Sequence, residues 1–347
     1  MKTKICWLIL LMVVTLLNCK KKGTIERSEM PIAITNNAVC GINIGEQAFV
    51  YLFGGLTSGK TYKDITLKSF KYDVTQNVWQ EIDPLPDTMG KIAAAASVLK
   101  GKIYIVGGYH VFADGHEKSS VKVHVYDPVS DHFLDDAADL PTPIDDHVQA
   151  VWRDSLIYVV SGWSDQNNVR TVQVFEPKNN VWHYGTSLPN EYSYAVFGSS
   201  GIIIEDQIYF AGGAGNRRNK NFPLQSHVRT GYINPQNALD INWQTIQHND
   251  AKVYRTGVTI IDDKPAWIGG AGISYNYNGI AYTGPAVEPF DQAIIFNPKT
   301  NKISKLKTGM PKIMDLRGVA QFRGYFIIAG GMEENQKVSR RTTITYH

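Results

Sequence analysis

The chain repeats one short pattern six times: an apolar run that ends in a pair of small residues, the second of them always glycine. These pairs are Gly54-Gly55, Gly107-Gly108, Ser161-Gly162, Gly212-Gly213, Gly269-Gly270 and Gly330-Gly331. Successive pairs lie 53, 54, 51, 57 and 61 residues apart. A fixed period near 50 residues indicates a repeat architecture, in which each repeat is one supersecondary unit that packs on its neighbours.

A pair of bulky residues follows the glycine pair in most repeats. The two members stand seven residues apart, as Tyr72 and Trp79, Tyr126 and Phe133, Phe175 and Trp182, and Phe296 and Ile303. A turn such as Tyr126-Asp127-Pro128 begins between them, because proline presets φ and Asp hydrogen-bonds its own backbone. Each repeat therefore predicts an inner strand, a strand that ends at the glycine pair, a variable loop and two further strands, which together make one four-stranded blade.

These residues resemble the kelch repeat, and the resemblance covers nearly the whole chain after the N-terminal segment. It implies an all-β fold, a six-bladed kelch-type β-propeller over residues 24–347. The last repeat stops after Thr342 to Tyr346, without a final strand, while Thr24 to Pro31 ends in the same way as Ile303 to Pro311. We therefore predict that the N-terminal segment supplies the outer strand of the last blade, which removes the open edges of the ring.

The first 18 residues are typical of a targeting signal. Two lysines precede an apolar run from Cys6 to Leu17, which is too short to span a bilayer. The motif Leu16-Leu17-Asn18-Cys19 resembles a bacterial lipobox, which implies lipidation of Cys19 and a tether over residues 19–23. An ordinary secretory signal that is cut nearby is the alternative. Either signal places the protein in the cell envelope, and lipidation would anchor it on the periplasmic side or the outer-membrane surface.

Charge and cysteine content exclude several classes of function. The formal net charge is only +3, whereas a nucleic-acid-binding domain needs a strongly basic face. After the signal and Cys19, Cys40 stands alone in an alternating apolar run, which is typical of a small buried residue. We predict no nucleic-acid partner, no cofactor and no metal.

The loops after the glycine pairs and the turns before the inner strands open on one face of such a propeller. Variable loops on a rigid scaffold usually carry binding. The candidate ligand-binding residues on this face are Asp145, Asp146, His147, Trp163, Tyr192, Tyr194, Arg217, Arg229, Arg255, Tyr275, Tyr277 and Arg317. Arginine pairs with carboxylates and aromatic rings stack on sugars, so this set favours an acidic carbohydrate ligand.

Several of these candidates have a structural alternative. Arg255 and Arg317 stand where kelch repeats commonly carry an arginine that ties neighbouring blades. Asp145-Asp146-His147 has metal-ligand chemistry, but adjacent strand residues point to opposite faces, which argues against one shared ion. The tyrosine-rich loop over residues 271–290 either packs over the face as a lid or stacks on a ligand.

Two segments are similar to bacterial N-acetylneuraminate epimerase, a six-bladed kelch enzyme that acts on the anomeric centre of sialic acid. They are Arg229-Thr230 and the run Gly269-Gly270-Ala271-Gly272, which leads into the tyrosines from Tyr275 to Tyr282. The glutamate of the epimerase motif is missing, because Gly213-Ala214 occupies its position. The long insertion that the epimerase carries in an earlier blade is missing as well.

The missing glutamate leaves the catalytic residues unassigned. Mutarotation needs a group that moves a proton, and Asp145, Asp146 or Glu288 would have to replace it. The sequence therefore predicts an envelope-anchored propeller that binds a small-molecule or glycan ligand on its loop-bearing face. A sugar mutarotase or epimerase and a protein-interaction scaffold are the two alternatives.

Overall fold

The computed structural model describes residues 23–217, 221–307 and 309–347. These residues form six antiparallel sheets of a β-propeller, each with a path of four strands. The predicted signal over residues 1–18 and its Cys19 lie outside the described residues. Within the described ranges, no helix has the length and apolar character needed to cross a bilayer.

Blades 1 to 3 follow the order of the chain, each from the inner strand outward. Blade 1 contains β2 (Ala38–Ile44), β3 (Gln47–Leu56), β4 (Ile65–Asp73) and β5 (Val78–Ile82). Blade 2 contains β6 (Ile92–Leu99), β7 (Lys102–Val111), β9 (Val123–Asp127) and β10 (His132–Phe133), and β8 (Glu117–Ser119) pairs with β7. Blade 3 contains β11 (Val148–Trp152), β12 (Leu156–Val160), β15 (Val172–Glu176) and β16 (Val181–Gly185), with the small hairpin β13 (Trp163–Ser164) and β14 (Asn167–Asn168) beside it.

Blades 4 to 6 complete the ring. Blade 4 contains β17 (Ser200–Ile204), β18 (Gln207–Ala211), β19 (His227–Asn234) and β20 (Asn237–Gln247). Blade 5 contains β21 (Gly257–Ile261), β22 (Lys264–Ile268), β23 (Gln292–Asn297) and β24 (Lys302–Lys307). Blade 6 contains β25 (Ala320–Phe322), β26 (Tyr325–Ala329), β29 (Thr342–Tyr346) and β1 (Gly23–Glu26), with the small hairpin β27 (Met332–Glu333) and β28 (Lys337–Val338). Short 3₁₀ turns lie at Tyr62–Asp64, Asn249–Ala251 and Glu334–Gln336.

The N-terminal strand closes the ring, as the sequence predicts. Strand β1 pairs antiparallel with β29, with Ile25 opposite Ile344. The chain then continues along blade 6, where the Met30 amide donates to the Arg340 carbonyl at 2.8 Å. Met30 is buried in the apolar cluster that blade 6 shares with Val50 and other residues of blade 1. The first and last parts of the chain thus share one blade.

Apolar clusters and indole hydrogen bonds join neighbouring blades. The aromatic pair of blade 1, Tyr72 and Trp79, lies directly across two strands with ring centroids 4.9 Å apart. The Trp79 indole donates to the Thr342 hydroxyl of blade 6 at 3.0 Å. In the same way the Trp267 indole of blade 5 donates to the Ser200 carbonyl of blade 4 at 2.8 Å. These two indole hydrogen bonds therefore tie blades 1 and 5 each to the preceding blade of the ring.

A closed ring of backbone hydrogen bonds surrounds the propeller axis just before the inner strands. The six residues that carry it occupy equivalent positions in blades 1 to 6 and are Asn36, Ala93, Asp146, Gly198, Arg255 and Asp315. Each carbonyl accepts an amide of the next blade at 2.8–3.2 Å; for Arg255 that donor is Leu316. All six residues have φ between 47° and 65°. Left-handed backbone is costly for residues other than glycine, so this ring of hydrogen bonds is what holds them.

Candidate functional site

The loops on the face that carries the glycine pairs enclose a cavity of about 140 Å³ beside the propeller axis. We call it the loop-face cavity. Its lining residues come from blades 2 to 5 and are Tyr109, Glu117, Asp145, Asp146, Trp163, Asp165, Phe197, Phe222, Arg255 and Tyr282. Acidic groups and aromatic rings make up most of this lining.

Four buried charged side chains form what we call the axial ion network: Asp146, Arg255, Asp315 and Arg317. Arg255 Nη2 lies 2.6 Å from Asp146 Oδ2, and Arg255 Nη1 lies 3.0 Å from Asp315 Oδ1. Arg317 Nη1 lies 3.2 Å from Asp146 Oδ1. Two carboxylates and two guanidinium groups balance each other, as buried charges require. Burial alone would lower the pKa of Arg255, but Asp146, Tyr254 and Asp315 raise it well above its usual value.

Asp145 is a buried carboxyl group in the wall of the cavity. The Ser119 hydroxyl donates to Asp145 Oδ2 at 2.6 Å. Burial, and then the neighbouring Asp146 carboxylate, raise the pKa of Asp145 well above its usual value. Although much of Glu117 is exposed, its side chain reaches the cavity, and desolvation raises its pKa too. Carboxyl groups whose pKa is raised in this way are candidates for acid–base chemistry.

Aromatic rings form the other part of the wall. The Phe222 ring meets Trp163 edge-on at 5.5 Å and Phe197 edge-on at 5.3 Å. Tyr282 packs on Phe222 with a centroid distance of 4.7 Å. Edge-to-face packing of this kind fixes the rings in place, which leaves a rigid apolar surface beside the carboxyl groups.

The tyrosine-rich loop of blade 5 packs across the loop-bearing face. Tyr275 is fully buried and meets Tyr254 edge-on at 5.0 Å, with the Arg255 guanidinium 5.4 Å from its ring centre. The Ser274 hydroxyl donates to the Phe222 carbonyl of blade 4. Tyr277 packs against the apolar cluster around Tyr109 of blade 2. The loop thus reaches two other blades, and its Tyr282 also lines the loop-face cavity, so the structure is compatible both with a lid and with stacking on a ligand.

The structure divides the residues that the sequence assigns to one site. Asp145, Asp146, Trp163 and Arg255 line the loop-face cavity. His147 and Arg317 instead line a second cavity on the axis. Asp146 lies between Asp145 and His147 with φ near +47°, and this turn sends their side chains to different cavities.

Arg229 does not lie in a loop, and that expectation is wrong. It belongs to β19, opposite Phe210, because this strand begins at His227. The side chain is fully buried, and its guanidinium donates to the carbonyls of Ser193 at 2.6 Å and Gly212 at 2.8 Å. Burial lowers the pKa of Arg229 to about 9. These contacts are those of a packing residue.

The three remaining candidates lie apart from the loop-face cavity. Tyr194 is buried in the apolar cluster between blades 3 and 4, together with Val196. Tyr192 is 39% exposed, and Arg217 is exposed on the surface. No finding tests a ligand role for these three residues, so that role stays a prediction.

Six of the ten lining residues are absent from the predicted ligand-binding set: Tyr109, Glu117, Asp165, Phe197, Phe222 and Tyr282. Glu117 reaches the cavity because β8 folds back on the end of β7. Phe197 lies one residue before the ring position of blade 4, as Asp145 does in blade 3. The periodicity of the repeat could have identified Phe197, but Phe222 sits in a variable loop without a motif.

Comparison with known proteins agrees with the architecture. The kelch motif matches residues 93–133 and again residues 153–189. Kelch-like protein 36 of Bos taurus is 26% identical over 141 residues, which is 41% of this chain and 22% of the relative. Kelch-like protein terF of Aspergillus terreus is 28% identical over 198 residues, which is 56% of this chain and 41% of the relative. The matches thus span less than half the length of these two relatives.

A solved structure, described as the structure of YjhT, superposes with a TM-score of 0.72. The match covers 91% of this chain and 95% of that chain at 16% sequence identity. At this identity the similarity shows the fold alone. Together with the glycine pairs, the two motif matches and the six blades, it leads to one conclusion: the chain is a six-bladed kelch-repeat β-propeller.

Proposed function

We propose that the loop-face cavity binds a small hydroxyl-rich ligand of the carbohydrate class. The observation that carries this proposal is the fixed aromatic wall of Trp163, Phe197 and Phe222 beside the Asp145 and Glu117 carboxyl groups. The apolar side of a sugar ring packs on an aromatic face, and its hydroxyls need polar groups in fixed places. The alternative is a protein partner. A recessed cavity fits a small ligand better than it fits the flat surface of another protein.

The charge of the cavity favours a neutral or amino sugar over an acidic one. Its lining holds the carboxyl groups of Glu117, Asp145, Asp146 and Asp165 but a single guanidinium, that of Arg255. Arg255 is already paired with two carboxylates. An additional anion would therefore find no unpaired guanidinium in this lining. The other three arginines behind the expectation of an acidic sugar, Arg217, Arg229 and Arg317, do not line the cavity.

Anomeric interconversion of the bound sugar is the second candidate function. It requires one group that gives a proton and another that takes one. The raised pKa values of Asp145 and Glu117 favour this reading, since both carboxyls keep their protons to a higher pH than ordinary carboxyl groups do. These two groups would act in place of the glutamate that the epimerase motif lacks here. Exchange between anomers of a bound sugar, followed by NMR, separates a mutarotase from a binding protein.

The first test is a titration of the purified protein with neutral and amino monosaccharides, followed by ligand-observed NMR. We expect Trp163→Ala to weaken binding about tenfold, since the loss of an aromatic contact costs about 1.4 kcal/mol. Tyr184→Ala is the matched control, because Tyr184 is 56% exposed on the outer strand β16. Unchanged affinity in Trp163→Ala, or binding of acidic sugars alone, would contradict the proposal.

We also propose that a lipid on Cys19 holds the propeller at a membrane of the cell envelope. The lipobox-like motif that ends at Cys19 supports this proposal. Each buried CH₂ of a lipid chain contributes about 0.8 kcal/mol to membrane binding. In cells we expect Cys19→Ala to leave the protein soluble or uncleaved, which membrane fractionation and the mass of the mature chain measure. Unchanged fractionation and processing would argue for another mode of retention.

A further inference from the structure

A second cavity, which we call the axial channel, runs along the propeller axis on the other side of the axial ion network. Its deep end measures about 90 Å³ and its outer part about 230 Å³. Val39, Ala96, Gln149 and Val258 line both parts, so the two are continuous. The channel opens at the face of the tight turns, opposite the loop-face cavity.

The walls of the channel come from the inner strands and from the residues just before them, and they combine aliphatic side chains with uncharged polar ones such as Ser97, Gln149 and Gln321. Small residues such as Ala96 and Gly201 leave the axis open, and Val39, Val258 and Val319 give part of it an apolar surface. These apolar side chains suit a ligand with a short hydrocarbon chain.

Two buried polar side chains at the deep end have atoms without partners. Arg317 is 6% exposed, and its Nη2 donates to the His147 carbonyl at 2.8 Å. Its Nε and Nη1 have no hydrogen bond among the residues that the structure describes, although Nη1 lies 3.2 Å from Asp146 Oδ1. His147 is 1% exposed; its Nε2 lies 3.2 Å from the Gln149 side-chain oxygen, and within the described residues its Nδ1 has no partner. Unsatisfied buried groups in a native fold call for an explanation, and a ligand is one.

The balance of charge at this end favours an anion. Burial and the nearby Arg317 lower the pKa of His147 to about 4, so the ring is neutral at pH 7. Asp146 is shared between Arg255 and Arg317, so Arg317 has only part of one carboxylate as its partner. No other charged side chain is among the described residues that line the channel. The Arg317 guanidinium therefore faces it as the one charged group.

We propose that the axial channel binds a small monocarboxylate with a short apolar chain, which enters from the turn face. Its carboxylate accepts hydrogen bonds from the Arg317 guanidinium, and its chain lies between Val39, Ala96 and Val258. Charge-assisted bonds of guanidinium to carboxylate are among the strong hydrogen bonds of proteins. This site is separate from the loop-face cavity, since the axial ion network lies between them.

The test is a calorimetric titration of the whole protein with acetate, butyrate and hexanoate at constant chloride. We expect affinity to rise with chain length by up to about fourfold for each added CH₂ that is buried. Val258→Phe fills the channel between its two parts and should weaken hexanoate binding at least tenfold. Val181→Phe is the matched control, because Val181 is 37% exposed on the outer strand of blade 3.

Three outcomes would overturn the proposal: no carboxylate binds, acetate, butyrate and hexanoate bind equally without dependence on chain length, or Val258→Phe binds hexanoate like the parent. Arg317→Lys is a second variant, and loss of binding in a folded protein identifies Arg317 as the anion contact. Sugar binding at the loop face should persist in Val258→Phe, so this test fails or succeeds independently of the proposed carbohydrate site.

Discussion

The two cavities on the propeller axis flank the same six inner strands, yet they share no lining residue. The loop-face cavity is acidic and aromatic, whereas aliphatic and uncharged polar side chains line the axial channel together with one guanidinium. The difference arises because inserted segments reach only one face: strand β8, the β13–β14 hairpin and the tyrosine-rich loop. At the other face tight turns join the strands, so residues of the inner strands and those just before them line the channel. The repeat thus supplies a scaffold, and the insertions supply the acidic and aromatic chemistry.

The axial ion network separates these two regions and also connects them. Asp146 is paired with Arg255, which lines the loop-face cavity, and with Arg317, which lines the channel. A change in one of these pairs alters the charge that the other cavity meets. Substitutions in the network should therefore affect both cavities, and they test the comparison of the two cavities most directly.

The largest expected effect is that of Arg255→Met. It leaves Asp146 and Asp315 buried with Arg317 as the only remaining guanidinium of the network. Removal of one partner from a buried ion pair costs about 3–5 kcal/mol, because an uncompensated charge stays behind. Urea unfolding monitored by tryptophan fluorescence measures the loss. We expect binding in both cavities to weaken in the fraction that remains folded.

Arg229→Met is the matched control for this prediction. Arg229 is as buried as Arg255, but its bonds go to backbone carbonyls, those of Ser193, Gly212 and His227. Its loss leaves neutral acceptors without a donor, which costs about 1–3 kcal/mol. Binding in both cavities should be unchanged. An equal loss of stability in the two variants would show that the carboxylates of the network add nothing.

The sequence predicted the blades because each repeat obeys local steric rules. A β-carbon on Gly107 would clash with the Ile144 carbonyl, and one on Gly108 with the Ile92 carbonyl, so both positions require glycine. The closing strand could be predicted for a similar reason. The last repeat lacks a strand and the N-terminal segment has one to spare, and the ring has no other way to pair both edges.

Only those site residues that occupy a fixed position of the repeat could be predicted from the sequence. Asp146 and Arg255 occupy ring positions, and their place near the axis follows from the period. His147 was predicted on the loop-bearing face, but it lines the axial channel. The left-handed turn at Asp146 directs it there, and this turn is not visible in the sequence. Arg229 was placed in a loop because the start of β19 depends on its pairing with β18. Phe222 comes from a loop whose path depends on contacts made after the blades assemble.

The pH dependence of stability should have opposite signs for His147 of the axial channel and Asp145 of the loop-face cavity. Burial and Arg317 lower the pKa of His147 to about 4, below the unfolded value of about 6.5. The folded state therefore binds fewer protons, and stability is lost as pH falls from about 6.5 towards 4. His147→Gln removes this loss, so relative to the parent it should gain about 2 kcal/mol between pH 7 and pH 5. Thermal melting at the two pH values measures the gain, and a constant difference would place His147 outside the desolvated channel.

Asp145→Asn tests the loop-face cavity and should have the smallest effect. Burial raises the pKa of Asp145 above its unfolded value of about 3.9, so the folded state binds its proton more tightly. The stability that Asp145 contributes is complete below pH 4 and is lost as pH rises through the folded pKa. Asparagine stays neutral and still accepts from the Ser119 hydroxyl. The variant should therefore match the parent near pH 4 and be more stable than the parent near pH 8, which urea unfolding at the two pH values measures. A variant that is less stable than the parent at pH 8 would show that the Asp145 carboxylate is stabilised in its ionised form, and the acid–base role proposed for it would fail.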